Sequence, residues 1–273
     1  FIHAFSSAGT GGFSNRNASV GAYGSVAIDL IITVFILLFS LNFAVYFLLL
    51  TRKWREALSS DELRFFLLVV TGATILIAID IAPLYTSIWE SLRYSVFQVA
   101  SIISTTGFAT ADFVLWPHFS QTILVLLMFC GACAGSTGGG IKCSRVLILL
   151  RSIRREIHRV IHPRSVEVVK LDGKVVEEDT LRSISVFVGS YLFIILAATL
   201  IISLDDFPFS VSFSSALTCI SNVGPGLELV GPTGNFSAFS HLSKIVMSLC
   251  MIIGRLEIFP ILVLFSRQAW RHT

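Results

Sequence analysis

Three short clusters carry residue types that bind ions through the backbone. They are Gly9-Thr10-Gly11-Gly12, Ser104-Thr105-Thr106-Gly107 and Ser221-Asn222-Val223-Gly224, with Phe13, Phe108 and Pro225 next in line. Small residues let a peptide chain approach an axis closely, and glycine accepts dihedral angles that other residues avoid. Several such strands around one axis would present a ring of carbonyl oxygens, able to replace the water shell of a dehydrated monovalent cation. A modestly apolar stretch, too short to cross a bilayer, precedes the second and third clusters. If it is helical, its carboxyl end adds partial negative charge at the same place. One glycine-rich cluster would be read as an ordinary turn, whereas three in register predict a repeated unit.

The elements that must hold such clusters belong to a membrane protein. Of the 273 residues 54% are hydrophobic and 14% charged, well short of the charge that a water-facing surface carries. Windows at 26–50, 65–82, 122–134, 186–202 and 245–265 are each expected to form a membrane span or part of one. Lys and Arg gather in the connection holding Arg52, Lys53, Arg55 and Arg64, in the polar segment from Arg151 to Arg182, and at Arg267 and Arg271. Residues 82–119 hold only Arg93, and 205–241 hold neither. The basic set is therefore expected on the cytoplasmic side, and the net charge of +3 reflects that asymmetry, giving no reason to expect nucleic acid. The opening residues read as mid-protein, so the chain is expected to be a C-terminal fragment. Cys130 and Cys133 form a CxxC without a second pair or a histidine cluster, so the five cysteines read as buried free thiols. Neither a Ser/His/Asp set nor a carboxylate pair stands out, and no enzyme is expected.

Each unit reads as span, short re-entrant helix, extended glycine-containing strand, span. Non-helical backbone at membrane depth is tolerated only where it is buried in protein or lines water. The segments AFSSAGTGGFS, SIISTTGFATADF, CISNVGPGLE and GRLEIFPILVLF resemble the Trk/Ktr/HKT superfamily of potassium transporters, most closely its bacterial TrkH branch. The resemblance covers essentially the whole chain. It implies an all-α polytopic protein in which M1–P–M2 units surround a pseudo-fourfold pore, the first repeat being absent here. It assigns 1–62 to the second-repeat pore loop and M2, 63–160 to the third repeat, 161–182 to a cytoplasmic hairpin linker and 183–273 to the fourth repeat. It places the filter at the three clusters, with one short signature per repeat in place of the longer TVGYG run of tetrameric potassium channels, which implies weaker selectivity. It further implies potassium uptake across a bacterial inner membrane, a homodimer, no cofactor in this chain, and a cytoplasmic RCK-type nucleotide-binding regulatory subunit. A sodium-permeable or sodium/potassium-coupled cation transporter of the same superfamily is the alternative.

One apolar window is interrupted by GACAGSTGGGIKCSRV, starting at Gly131. Gly131 and Gly135 are spaced for small-residue helix packing, but three successive glycines at 138–140 are not explained by it. The run misses a phosphate loop because Ile141 separates the last glycine from Lys142 and no strand precedes it. The resemblance makes 131–142 an intramembrane gating loop under the filter, built on Ala134, Gly135, Ser136, Thr137, Gly138, Gly139 and Gly140. Arg255, in the middle of the last apolar window, should face a cavity or a partner, since a lipid-facing arginine there costs about 3 kcal/mol or more. The resemblance places it below the filter, against that loop. Glu257, two residues on, lies elsewhere on a helix and is expected to pair with a neighbouring span. Asp112, Asp205, Asp206 and Glu228 are external acids that either concentrate cations or are merely solvated. Asp172-Gly173, between valine-rich flanks, predicts a type I′ hairpin.

Overall fold

The computed structural model describes residues 1–165 and 167–264; Val166, Phe265, Arg267, Arg271 and His272 lie outside the described residues. The described residues are mostly helical: α1 (Ile2–Ala8), α2 (Val26–Ser40), α3 (Phe43–Leu50), α4 (Trp54–Ser59), α5 (Asp61–Ile81), α6 (Ile88–Ile103), α7 (His118–Cys130), α8 (Cys143–Ile161), α9 (Glu178–Ile202), α10 (Phe209–Ser221), α11 (His241–Arg255) and α12 (Ile258–Leu264). Local chemistry sets many of the ends. Ser87, Asn42 and Ser240 cap α6, α3 and α11 through side-chain oxygens that accept backbone N–H groups. Acidic residues occupy the first turns of α5 and α9, where the helix dipole favours them. Pro83 tightens the exit from α5.

Among the described residues, two helices with their 3-10 extensions, Asp61–Leu84 and Glu178–Asp205, are long and apolar enough to cross a bilayer. They begin slightly before the divisions read at 62/63 and 182/183, so both divisions fall inside continuous helices. The apolar windows at 26–50 and 245–265 are each broken. The first bends by 93° between α2 and α3, because Asn42 starts a new helix and the Phe43 N–H turns to the Gly135 carbonyl. The second breaks at Leu256-Glu257, where Glu257 takes a positive φ of 62° and its carboxylate pairs with Arg145 on α8 at 2.8 Å.

Polarity is distributed inside out. The long helices turn Leu68, Ile79, Phe193 and Leu200 outward. The short α6 and α10 bury Ser91, Ser95, Ser101, Ser212, Ser214, Ser215 and Thr218. α6 packs on α5, α2 and α7, and α10 on α9, α11 and α7. One apolar core runs through these helices, α2 touching it only through the partly buried Leu37; α2 meets α6 and the strand after it through Ile36, Phe97, Ala100 and Phe108. Beyond α8, strands β1 (Lys170–Leu171) and β2 (Lys174–Val175) pair antiparallel. Asp172 and Gly173 both take positive φ at the tip (50° and 77°), as a type I′ turn requires.

α10 and α11 approach so closely that a Cβ at Gly254 would lie 1.8 Å from the Ile220 carbonyl oxygen, whereas one at Gly72 or Gly189 would meet nothing within 4 Å. Gly→Ala inside a helix ordinarily gains about 0.5–1 kcal/mol. In thermal melts of the detergent-solubilised protein, Gly72→Ala and Gly189→Ala should therefore hold or raise the midpoint. Gly254→Ala should lower it by several degrees, and a rise in that variant would contradict the packing described.

Candidate functional site

The three clusters follow α1, α6 and α10 and share one backbone design. Thr10, Thr105 and Asn222 each take left-handed φ, at 49°, 61° and 57°. Their N–H groups donate to the carbonyl three residues back, at 3.3, 3.0 and 3.2 Å. The next N–H, from Gly11, Thr106 or Val223, donates to the carbonyl five residues back at 2.8, 2.9 or 3.0 Å. This is the Schellman closure of a helix end. Only Asn222 is a residue type that adopts αL readily; threonine there is strained. A third bond recurs between residues seven apart. The Ser6 hydroxyl accepts from the Phe13 N–H at 2.7 Å, Ser101 donates to the Phe108 carbonyl at 2.6 Å, and Thr218 donates to the Pro225 carbonyl at 3.2 Å. Each helix thus clamps the strand that leaves it.

Gly12 and Gly107, with φ of 68° and 78°, bring the strands against one another. A Cβ at Gly12 would lie 1.9 Å from the Thr106 carbonyl oxygen, and one at Gly107 would lie 2.0 Å from that of Val223. The first strand therefore abuts the second, and the second the third; a Cβ at Gly224 meets nothing within 4 Å. Ser104, Thr105, Thr106, Ser221 and Val223 are buried, while Gly9, Gly11 and Gly224 are exposed. Gly12, Gly107 and Gly224 line one cavity of about 270 Å³ together with Ser14, Arg16 and Pro225.

α7 ends at Cys130 and α8 starts at Cys143. The intervening loop touches all three clusters. The Thr137 carbonyl accepts from the Thr10 hydroxyl at 2.9 Å, and the Gly139 N–H donates to the Thr105 hydroxyl at 2.7 Å. Gly138 and Gly139 lie against the Ser104 and Ser221 carbonyls, so close that a Cβ would meet them at 2.9 and 2.7 Å. Arg255 donates to the same Thr137 carbonyl at 2.9 Å, and Lys142 donates to the Gly138 carbonyl. Ser136 closes the loop on itself through the Cys133 carbonyl at 2.6 Å. Gly135 and Gly140 turn it with φ of 65° and 74°. A second cavity of about 290 Å³ opens beside this loop, lined by Thr137, Gly139, Lys142, Tyr191, Arg255 and Glu257.

Three of the four external acids are used within the fold. Asp112, Asp205 and Glu228 accept hydrogen bonds from Val114 and Thr233, from Ser240 and from Ser210 respectively. All five cysteines are buried and free. Sequence reasoning did not single out Lys142, which carries positive charge to the loop, or Glu62, a buried carboxylate that accepts from the Ala134 N–H at 2.6 Å.

The family model for TrkH, described as a cation transport protein, matches residues 1–271. The Trk system potassium uptake proteins TrkH of Salmonella typhimurium and TrkG of Escherichia coli are each 34% identical to this chain, over 99% and 98% of it. The chain spans 56% of each of those relatives. The crystal structure of the potassium transporter TrkH from Vibrio parahaemolyticus superposes with a TM-score of 0.89 at 32% identity, over 98% of this chain and 58% of that one.

The hydroxyl clamps generate a direct test. Thr218→Val keeps the side-chain shape but leaves the Pro225 carbonyl without its donor, a loss of about 1–3 kcal/mol if that carbonyl stays dry. Thr218→Ser should melt near the wild type and Thr218→Val several degrees lower; equal midpoints for Val and Ser would remove the clamp from the account.

Proposed function

The chain belongs to the TrkH family of cation transport proteins, and from that premise we propose that it forms three walls of a potassium-conducting pore in a bacterial inner membrane. One observation carries the reading. The three glycine turns face one cavity, the loop between α7 and α8 faces another, and turns and loop are stacked in direct contact between the two. A cation passing from one cavity to the other meets backbone carbonyls first and the loop second.

In this reading residues 9–12, 104–107 and 221–224 form the filter. Their carbonyl oxygens replace the water shell of potassium, and the αL–x–Gly turn after each helix aims them inward. The open side of Gly224 is where a fourth wall fits, in keeping with relatives nearly twice as long as this chain. The chain is thus part of an M1–P–M2 ring, with its basic segments on the cytoplasmic side. The intact protein works as a homodimer with an RCK-type nucleotide-binding subunit docked on that face.

Residues 134–140 and Arg255 form the gate. The loop occupies the path below the carbonyls, and the Arg255 guanidinium, bonded to Thr137, holds it there. At an effective dielectric of about 20, a unit charge about 6 Å from a cation opposes it by roughly 3 kcal/mol, a factor of about a hundred in rate. Lys142 adds charge of the same sign, while Glu257 is already engaged by Arg145.

The test is rubidium uptake into liposomes holding the intact transporter that contains this chain, without its cytoplasmic partner. Arg255→Ala and removal of Gly138–Gly140 should each raise uptake, by up to about a hundredfold for the arginine. Gly107→Ser should degrade the preference for potassium over sodium more than total flux. Flat or reduced uptake in both gate variants, with folding intact, would make the loop a packing device, and unchanged selectivity in Gly107→Ser would remove the filter assignment.

A further inference from the structure

The loop is held at both ends by one acidic side chain that lies outside it. Glu62, in the first turn of α5, is only 5% exposed. Its Oε1 accepts from the backbone N–H of Ala134, just beyond α7, at 2.6 Å, and from that of Ser144, in the first turn of α8, at 3.1 Å. Its Oε2 faces the Asn42 amide at the α2–α3 bend, at 3.5 Å. A charged side chain buried this far from water is costly unless its oxygens are hydrogen-bonded. Here the carboxylate sits at the amino end of α8, where backbone donors and the helix dipole stabilise it.

The residue before it faces the other way. The Asp61 N–H donates to Asp172 Oδ1 at 2.6 Å, and the Asp172 N–H donates back to Asp61 Oδ2 at 3.0 Å. Arg151 of α8 bonds the same Asp61 oxygen at 2.8 Å, and the Lys170 carbonyl as well. Asp172 is the tip of the β1–β2 hairpin. Two consecutive residues in one helical turn thus hold the loop on one side and the hairpin on the other.

We propose that Glu62 is the positioning residue of the loop and that the Asp61–Asp172 pair is a latch coupling it to the hairpin. Displacing the hairpin pulls on the first turn of α5, and that turn carries the acceptor on which both loop ends hang. The proposal rests on the reading that the loop obstructs the path, but it concerns the loop's position and is measurable apart from flux.

Cys133, 1% exposed and adjacent to Ala134, is a native reporter of loop position. In the intact transporter, with its other cysteines replaced by alanine, the rate of Cys133 labelling by a small methanethiosulfonate reads loop opening. Glu62→Ala removes two hydrogen bonds to a charged acceptor and should speed labelling roughly tenfold or more. Glu62→Gln keeps an oxygen in the same place and should stay close to the wild type. Asp172→Gly preserves the turn and the N–H bond from position 172 to Asp61 but removes Oδ1, the side-chain half of the latch, and should speed labelling severalfold. The double variant Glu62→Ala/Asp172→Gly should label no faster than Glu62→Ala alone, because the latch acts through Glu62. Wild-type labelling in Asp172→Gly, or effects that add in full, would overturn the proposal; the hairpin variant decides this even where Glu62→Ala fails to assemble. Rubidium uptake in the same samples separates the two claims. Faster labelling without faster uptake leaves the latch standing and overturns the obstruction.

Discussion

A backbone carbonyl inside a bilayer needs a partner, and each unpaired one costs several kcal/mol in hydrocarbon. The three αL–x–Gly turns answer that constraint in a particular way. Each releases the chain from a short helix after closing the helix end with two backbone bonds, then pins the departing strand with a hydroxyl seven residues from its bonding partner. What the turns leave over is backbone turned toward the other strands. Gly12 meets the Thr106 carbonyl and Gly107 the Val223 carbonyl at distances no Cβ would survive. Close mutual approach of non-helical backbone is what the surrounding helices exist to support.

The inside-out polarity follows from it. Serines and threonines concentrate on α6 and α10 because those helices carry the turns and must anchor them, while the apolar sides of α5 and α9 face outward. Threonine at positions 10 and 105 is a costly choice for left-handed backbone. Both hydroxyls bond the α7–α8 loop, through Thr137 and Gly139, and this supplies a reason for the strain. Turns and loop are therefore one assembly: the groups that shape the three strands also seat the loop that touches them.

Much of this was legible in the amino-acid pattern. Gly12, Gly107 and Gly224 marked positions needing positive φ, the glycines at 131–140 marked a helix break, and Asp172-Gly173 marked a hairpin. Each of these is a local backbone requirement that shows in residue type. The bend at Leu41-Asn42 was hidden because apolar residues continue on both sides, and one asparagine is a weak signal within such a run. The break at Leu256-Glu257 was hidden for the same reason; a partner for Glu257 on a neighbouring helix was expected, but that partner, Arg145, lies 112 residues away. Glu62 was unreadable because it stands at the head of a span, where acids are common, and its loop partners lie 72 and 82 residues further on. The contact of Arg255 with Thr137 spans 118 residues; the cost of an arginine inside an apolar helix pointed only to a cavity or partner, and the family resemblance pointed to the loop.

The central claim is that the three turns bind the transported ion with backbone oxygen. Anomalous scattering from crystals of the intact transporter soaked in a thallous salt tests it most directly, because thallium substitutes for potassium and is located by element. The account predicts a peak bounded by the carbonyl oxygens of residues 10–12, 105–107 and 222–224. Thallium found only elsewhere, with none at the turns, would contradict it.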